Sequence, residues 1–293
     1  MVSTFIALGD SFTEGLHDPG PGGEYRGWAD RFAEILAARN GGLQYANLAV
    51  RGKMLGEVVD DQLPAALAMA PDLVSIAAGG NDLLRPSADP DSLAEVFEAA
   101  VIRLRDAGCQ VLVLTGFDPR TFPVIRWIRG KVAVYNMHLR AIADRRGAVV
   151  VDLWSMPVLC DPRVWSDDRL HLTAEGHRRV ALRACEAFGL LSAPDPANLD
   201  AADADWRAPL AAVSLNGGVG RAVGAGGSRA GWLAARRVDA RWARDHAAPW
   251  VHRRVRGVST GDGREPKRPA LLPIELQSAG AVAQVGQDLL KPG

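Results

Sequence analysis

Four short stretches carry side chains that could do chemistry together: Gly9-Asp10-Ser11, Arg51-Gly52, Gly79-Gly80-Asn81-Asp82 and Asp168-Arg169-Leu170-His171. A serine hydroxyl attacks a carbonyl at neutral pH only with a base within hydrogen-bond reach. Imidazole, with an ordinary pKa of about 6.5, suits that task. The imidazole needs an acceptor on its other nitrogen. Residues three apart on one turn lie close together, so Asp168 can accept from His171 while the second ring nitrogen faces Ser11. Attack would leave negative charge on the former carbonyl oxygen, and donors already in place stabilise it at low reorganisation cost. The Ser11 N–H, the Gly52 N–H and the Asn81 side-chain amide could supply three. Taken one at a time, the same residues also serve ordinary turns. The remaining histidines, His17, His138, His177, His246 and His252, read as surface or core residues, with His177 pointing away from His171.

These residues need elements to hold them. Phe5-Ile6-Ala7-Leu8 is an apolar run of strand length, and Ser11 follows in a polar turn that can open a helix. Further strands are expected at Tyr45 to Val50, Leu73 to Ala78, Val111 to Leu114 and from Val149. Helical spacing lies between them: Trp28 to Arg39 with Trp28, Phe32, Ile35 and Leu36 on one face, Leu55 to Met69 broken near Pro64, Ser92 to Ala107, and Val132 to Arg145. A last helix, Thr173 to Phe188, begins with Thr173 and Glu175. In Ser92 to Ala107 the apolar content is Leu93, Val96, Phe97, Val101 and Leu104. Such alternation predicts a parallel sheet, and apolar runs rather than strict alternation predict that both of its faces are covered. The fold class is therefore α/β, in three α/β/α layers. Three of the four stretches follow strands, which puts them at the edge where ligands gather in open α/β sheets.

Composition narrows the classes. Lys+Arg and Asp+Glu are 34 each, and 48% of the 293 residues are hydrophobic, enough for a sizeable core without a global charge aimed at nucleic acid. Cys109, Cys160 and Cys185 form no CxxC pair, so buried thiols are expected rather than disulfides or a thiolate metal site. No apolar run reaches the roughly 18 residues of a membrane span, and the first strand starts too near Met1 to leave room for a leader. The expected location is the cytoplasm.

The four stretches, in this order and at this spacing, resemble the sequence blocks of the SGNH, or GDSL, hydrolase superfamily over about the first 190 residues. Phe12 stands where the name-giving block has leucine. The resemblance implies a flavodoxin-like sheet of five parallel strands and metal-free ester hydrolysis with no cofactor. It also implies Ser11 as nucleophile, His171 as base, Asp168 as its partner, and Ser11, Gly52 and Asn81 as the oxyanion hole. The basic C-terminal part is similar to extensions on actinobacterial members. Loops His17 to Gly27 and Phe117 to Gly130 should border the site, with Asp10, Arg120, Arg126 and Trp127 as substrate contacts. A short-chain carboxylester or a lysophospholipid-like ester is the expected substrate, and deacetylation of a sugar is the alternative.

The expected division is a catalytic domain over 1–193, a Gly/Ala-rich linker over 194–231, a basic helical segment over 232–257 and an irregular tail over 258–293. About a dozen basic residues face about four acidic ones between Arg207 and Arg268, which fits a solvated helix docking its tryptophans on the main domain, with an anionic lipid surface or nucleic acid as the sharper alternative. A nucleotide binder would use the same sheet edge, but GxxxxGK[ST] and GxGxxG are missing after the first strand. A non-catalytic interaction protein working through the basic segment is the competitor from another class.

Overall fold

The computed structural model describes residues 1–20, 23–122, 125–191, 205–208, 210, 244 and 260–274. The chain divides into two compact units, Met1–Arg207 with Ser259–Gly293, and Ala208–Val258. Of the second, only Ala208, Leu210 and Arg244 are described, so the basic helix expected over 232–257 and most of the 194–231 linker lie outside the described residues.

Among the described residues six strands build one sheet in the order β5-β4-β3-β1-β2-β6. The parallel five are β1 (Thr4–Gly9), β2 (Gln44–Asn47), β3 (Leu73–Ala77), β4 (Gln110–Leu114) and β5 (Val149–Val151). From Phe5 to Gly9 β1 is wholly buried, which explains its unbroken apolar run. Between strands run α1 (Ser11–Glu14), α2 (Gly27–Asn40), α3 (Leu55–Glu57), α4 (Leu63–Ala68), α5 (Gly80–Leu83), α6 (Pro90–Asp106) and α7 (Arg129–Arg146); α8 (Ala174–Ala187) follows β5. From β1 the chain steps one way to β2 and the other way to β3, β4 and β5. Right-handed crossovers therefore put α2 on one face and α4, α6 and α7 on the other. Accordingly α2 packs on α8, and α6 on α7. The order reverses beside β1, so the loops after β1 and β3 open into one crevice.

Local departures from the sequence reading have physical causes. No gap opens at Pro64: a widened turn, Val58–Gln62, absorbs the missing N–H, and Pro64 sits in the first turn of α4. Ile35 is only half-buried and Val96 is 40% exposed, because the α2 stripe centres on Trp28, Phe32 and Leu36 and the α6 stripe on Ala94, Phe97, Val101 and Leu104. Cys160 is part-exposed, while Cys109 and Cys185 are buried. Trp206, assigned to the linker, is buried; Arg207 lies 4.1 Å and Arg183 5.4 Å from its ring, and its indole donates to Glu186 of α8.

The largest correction concerns the tail and the strand count. Arg268–Pro273 forms β6, antiparallel to β2, so the sheet has six strands rather than five. Pro269 and Pro273 argue against a central strand but are tolerated at an edge, where one side needs no donors. Lys267, just before it, donates to Glu14 O (2.6 Å), Tyr25 O (2.8 Å), Arg26 O (3.2 Å) and the part-buried Asp30 carboxylate (2.6 Å). Lys267→Met would strand that carboxylate, so we expect a loss of about 3 kcal/mol and a drop in Tm on the order of 10 °C. Asp30→Asn in the same background should recover part of it. Thermal melts of the wild type and both variants check this, and an unchanged Tm in Lys267→Met would refute it.

Candidate active site

The site begins where β1 runs out. Gly9 has φ +151°, and a Cβ there would stand 2.5 Å from Ala77 O, so the strand can turn this close to β3 only as glycine. Gln62 brackets it, donating to Gly9 O at 2.8 Å and accepting from Gly9 N at 2.9 Å. Asp10 caps α1: its Oδ1 accepts from Phe12 N, and its carbonyl from Thr13 N and Glu14 N. Ser11 is thus the first helical residue, half-buried, and its N–H has no acceptor among the described residues.

One amide ties three loops together. Asn81 Nδ2, in the first turn after β3, donates to Asp10 Oδ2 at 3.1 Å and to Lys53 O at 3.0 Å. Asp10 and Lys53 are the chain neighbours of Ser11 and Gly52, so Asn81 joins the loops after β1, β2 and β3. Gly52 has φ +78°, a left-handed turn that favours glycine. The adjacent Arg51 pins this loop to α1, its N donating to Glu14 Oε2 at 2.7 Å and its guanidinium pairing with the same carboxylate.

The last loop is closed on itself by a Trp165–Leu172 bridge and by Ser166 N donating to His171 O at 2.8 Å. Within it Asp168 Oδ1 accepts from Ser166 Oγ (2.6 Å), Leu170 N (2.9 Å) and His171 N (3.0 Å). Asp168 Oδ2 lies 2.6 Å from His171 Nδ1. Burial by itself would raise the Asp168 pKa. The hydrogen bond and charge of His171, with the Ser166 and Leu170 donors, outweigh it and hold the carboxyl well below the usual range. An ionised Asp168 fixes the His171 proton on Nδ1 and leaves the Nε2 lone pair available. Ser11 Oγ and the His171 ring are not hydrogen-bonded to each other among the described residues; such bonds tighten when substrate completes a site.

Residues 7–179 match the profile of the GDSL-like lipase/acylhydrolase family. The chain belongs to this family. It is accordingly a serine hydrolase of the ester-cleaving kind. The curated proteins hold no match to the sequence. Among solved structures, LAE5, an alpha/beta hydrolase enzyme from the metagenome of Lake Arreo, Spain, is 22% identical, with 65% of this chain and 97% of that one aligned at a TM-score of 0.56. TesA is 24% identical over 64% of this chain and 100% of its own, at 0.53. Axe2, an acetylxylan esterase from Geobacillus stearothermophilus, is 20% identical over 64% and 94%, at 0.55. At these identities the likeness is one of fold.

In this GDSL-family chain two histidines depart from, or add to, the sequence reading. His17 is no ordinary surface residue: its Nε2 lies 3.1 Å from Asp168 Oδ2, and its ring stacks on that of His171 at 5.4 Å. It takes φ +65°, held between two anchored neighbours. Leu16 O accepts from His177 Nε2 at 3.2 Å, and the buried Asp18 carboxylate takes Gly27 N and both forks of Arg31. The contact spans 151 residues of sequence, so no local pattern could have signalled it. His177 is fully buried on α8; its Nδ1 accepts from Trp28 N at 3.2 Å, so the Nε2 proton is the one given to Leu16 O.

Burial pushes the His177 pKa down to about 4. The unfolded chain takes up that proton near the ordinary pKa of about 6.5, whereas the folded chain refuses it until about 4. Stability is therefore complete above the unfolded value and lost as pH falls through this window, by roughly 3 kcal/mol. His177→Gln keeps one acceptor and one donor but cannot titrate, so its Tm should fall less steeply between pH 6.5 and 4. Equal slopes in calorimetry would contradict the assignment.

The expected substrate contacts fare differently. Asp10 is in the site, partnered with Asn81. Arg120 lies 3.7 Å from Asp118, which also holds Arg129, while Arg126 is exposed and Trp127 is 54% exposed. Among the described residues no hydrogen bond, ion pair or ring contact links these three to Ser11, Asn81 or His171. No helix among the described residues is long and apolar enough to cross a membrane.

Proposed function

We propose that the protein hydrolyses carboxylic esters of short-acyl or lysophospholipid type through an acyl-enzyme on Ser11. The observation that carries this reading is the Asp168 carboxylate, locked by three donors on one oxygen and set 2.6 Å from His171 Nδ1 with the other. His171 Nε2 takes the Ser11 proton as Oγ attacks the ester carbonyl, then returns it to the departing alcohol. A water repeats the cycle and frees the acid. The N–H groups of Ser11 and Gly52 and the Asn81 amide receive the oxyanion.

Asn81 already has acceptors for both amide hydrogens, so serving the oxyanion means exchanging the Asp10 bond for it. That exchange places Asn81→Ala at the lower end for a lost oxyanion donor, about 10²-fold in kcat. Steady-state kinetics check it, and an undiminished kcat would remove Asn81 from the mechanism.

Deacetylation of a sugar is the second reading, favoured by the fold shared with the acetylxylan esterase Axe2. A panel of p-nitrophenyl esters from acetyl to dodecanoyl, run beside a lysophospholipid and an acetylated xylooligosaccharide, decides between them. Turnover of the short esters or the lysophospholipid is expected. Turnover of the oligosaccharide alone would favour deacetylation, and turnover of none would overturn the proposal. Contact of the basic residues 232–257 with an anionic lipid surface, and a cytoplasmic location, are further proposals; the first rests on charge alone.

A further inference from the structure

We infer that His17, Asp168 and His171 form a site for a divalent transition-metal ion of the zinc class, and that filling it switches ester hydrolysis off. The inhibitory half rests on His171 being the base proposed above; the binding half does not.

Each of the three residues offers one ligand atom, and the three atoms lie within 4.8 Å of one another. Two imidazole nitrogens and one carboxylate oxygen make a donor set that suits zinc or copper, whereas magnesium and calcium prefer oxygen alone. Ligands of a tetrahedral zinc, at about 2.0 Å from the metal, stand about 3.3 Å apart. His17 Nε2 and Asp168 Oδ2 are already 3.1 Å apart, and the 2.6 Å pair of Asp168 and His171 need open only slightly. Donors on Oδ1 keep Oδ2 turned toward both rings, the kind of outer support that fixes metal ligands. His17 is held by its anchored neighbours, and its side chain is 46% exposed, so an ion has a path from solvent.

The effect on the base follows from imidazole chemistry. A metal on Nε2 takes the lone pair that Ser11 needs. A metal on Nδ1 displaces the proton there to Nε2, which then carries hydrogen and accepts nothing. Either mode leaves the ring neutral and Ser11 without a base.

The test uses metal-stripped full-length protein, zinc chloride titrated in a calorimeter, and ester hydrolysis followed against free zinc as a fraction of each variant's own zinc-free rate. One zinc per chain is expected, with half-inhibition at the dissociation constant and full reversal by a chelator. His17→Ala and His17→Asn should weaken both binding and inhibition by at least about tenfold. His171→Gln should weaken binding likewise, a readout that needs no activity. Millimolar magnesium should neither bind nor inhibit. Absence of saturable zinc binding, or unchanged affinity in the His17 variants, would overturn the site. Binding that depends on His17 yet spares hydrolysis would overturn the inhibitory half. A wild type that binds zinc but cleaves no ester would instead overturn the hydrolase reading and leave the metal site standing.

Discussion

Replacing Ser11 by alanine is expected to lower kcat toward a short p-nitrophenyl ester by about 10⁴- to 10⁶-fold while leaving KM nearly unchanged. The hydroxyl forms the covalent intermediate, so its loss removes the route and not the binding surface. Alanine fits the first turn of α1, where Asp10 and not Ser11 supplies the cap, so the fold should persist. His171→Ala should fall as far, and the double variant little further, because base and nucleophile act as one unit. Rates from purified single and double variants decide the matter. Multiplying losses would mean the two residues work independently, and a retained rate in Ser11→Ala would exclude this serine.

Asp168→Asn should cost about 10⁴-fold in kcat with little loss of stability. Three donors converge on Oδ1, and the amide oxygen of asparagine is the only atom that can replace it. The amide nitrogen then falls opposite His171 Nδ1, where it can only donate. The ring must accept there, moving its own proton to Nε2 and losing the lone pair needed for Ser11. Nitrogen-15 spectra of His171 should therefore show the Nε2–H tautomer in the variant and Nδ1–H in the wild type. An unchanged tautomer with a large rate loss would mean that Asp168 acts through its charge alone.

What the sequence disclosed follows the range of the interactions. Ser11, Gly52 and Asn81 each come just after a short apolar run, and Asp168 stands one turn before His171, so local pattern suffices to find them. The capping of α8 by Thr173 was legible for the same reason. β6 was hidden because Pro269 and Pro273 mark a segment as non-strand unless the reader knows that an edge is open beside β2. Trp206 reads as linker because Glu186 and Arg183, which pack on it with the neighbouring Arg207, belong to the distant α8. His17 carries no local signal, since its partner, Asp168, approaches only when the sheet has formed. The Asn81 bridge to Asp10 and Lys53 is of the same kind: the residue stands in a legible turn, but its two acceptors lie 71 and 28 residues away in sequence.

Covalent labelling by an organophosphonate, with the adduct located by peptide mass spectrometry, asks outright whether Ser11 is the activated hydroxyl. One adduct per chain is expected on Ser11 in the wild type and none in Ser11→Ala. Labelling in His171→Ala should be slower by about 10³-fold or more. A wild type that cleaves esters but carries its adduct on another residue, or carries none, would contradict the assignment to Ser11.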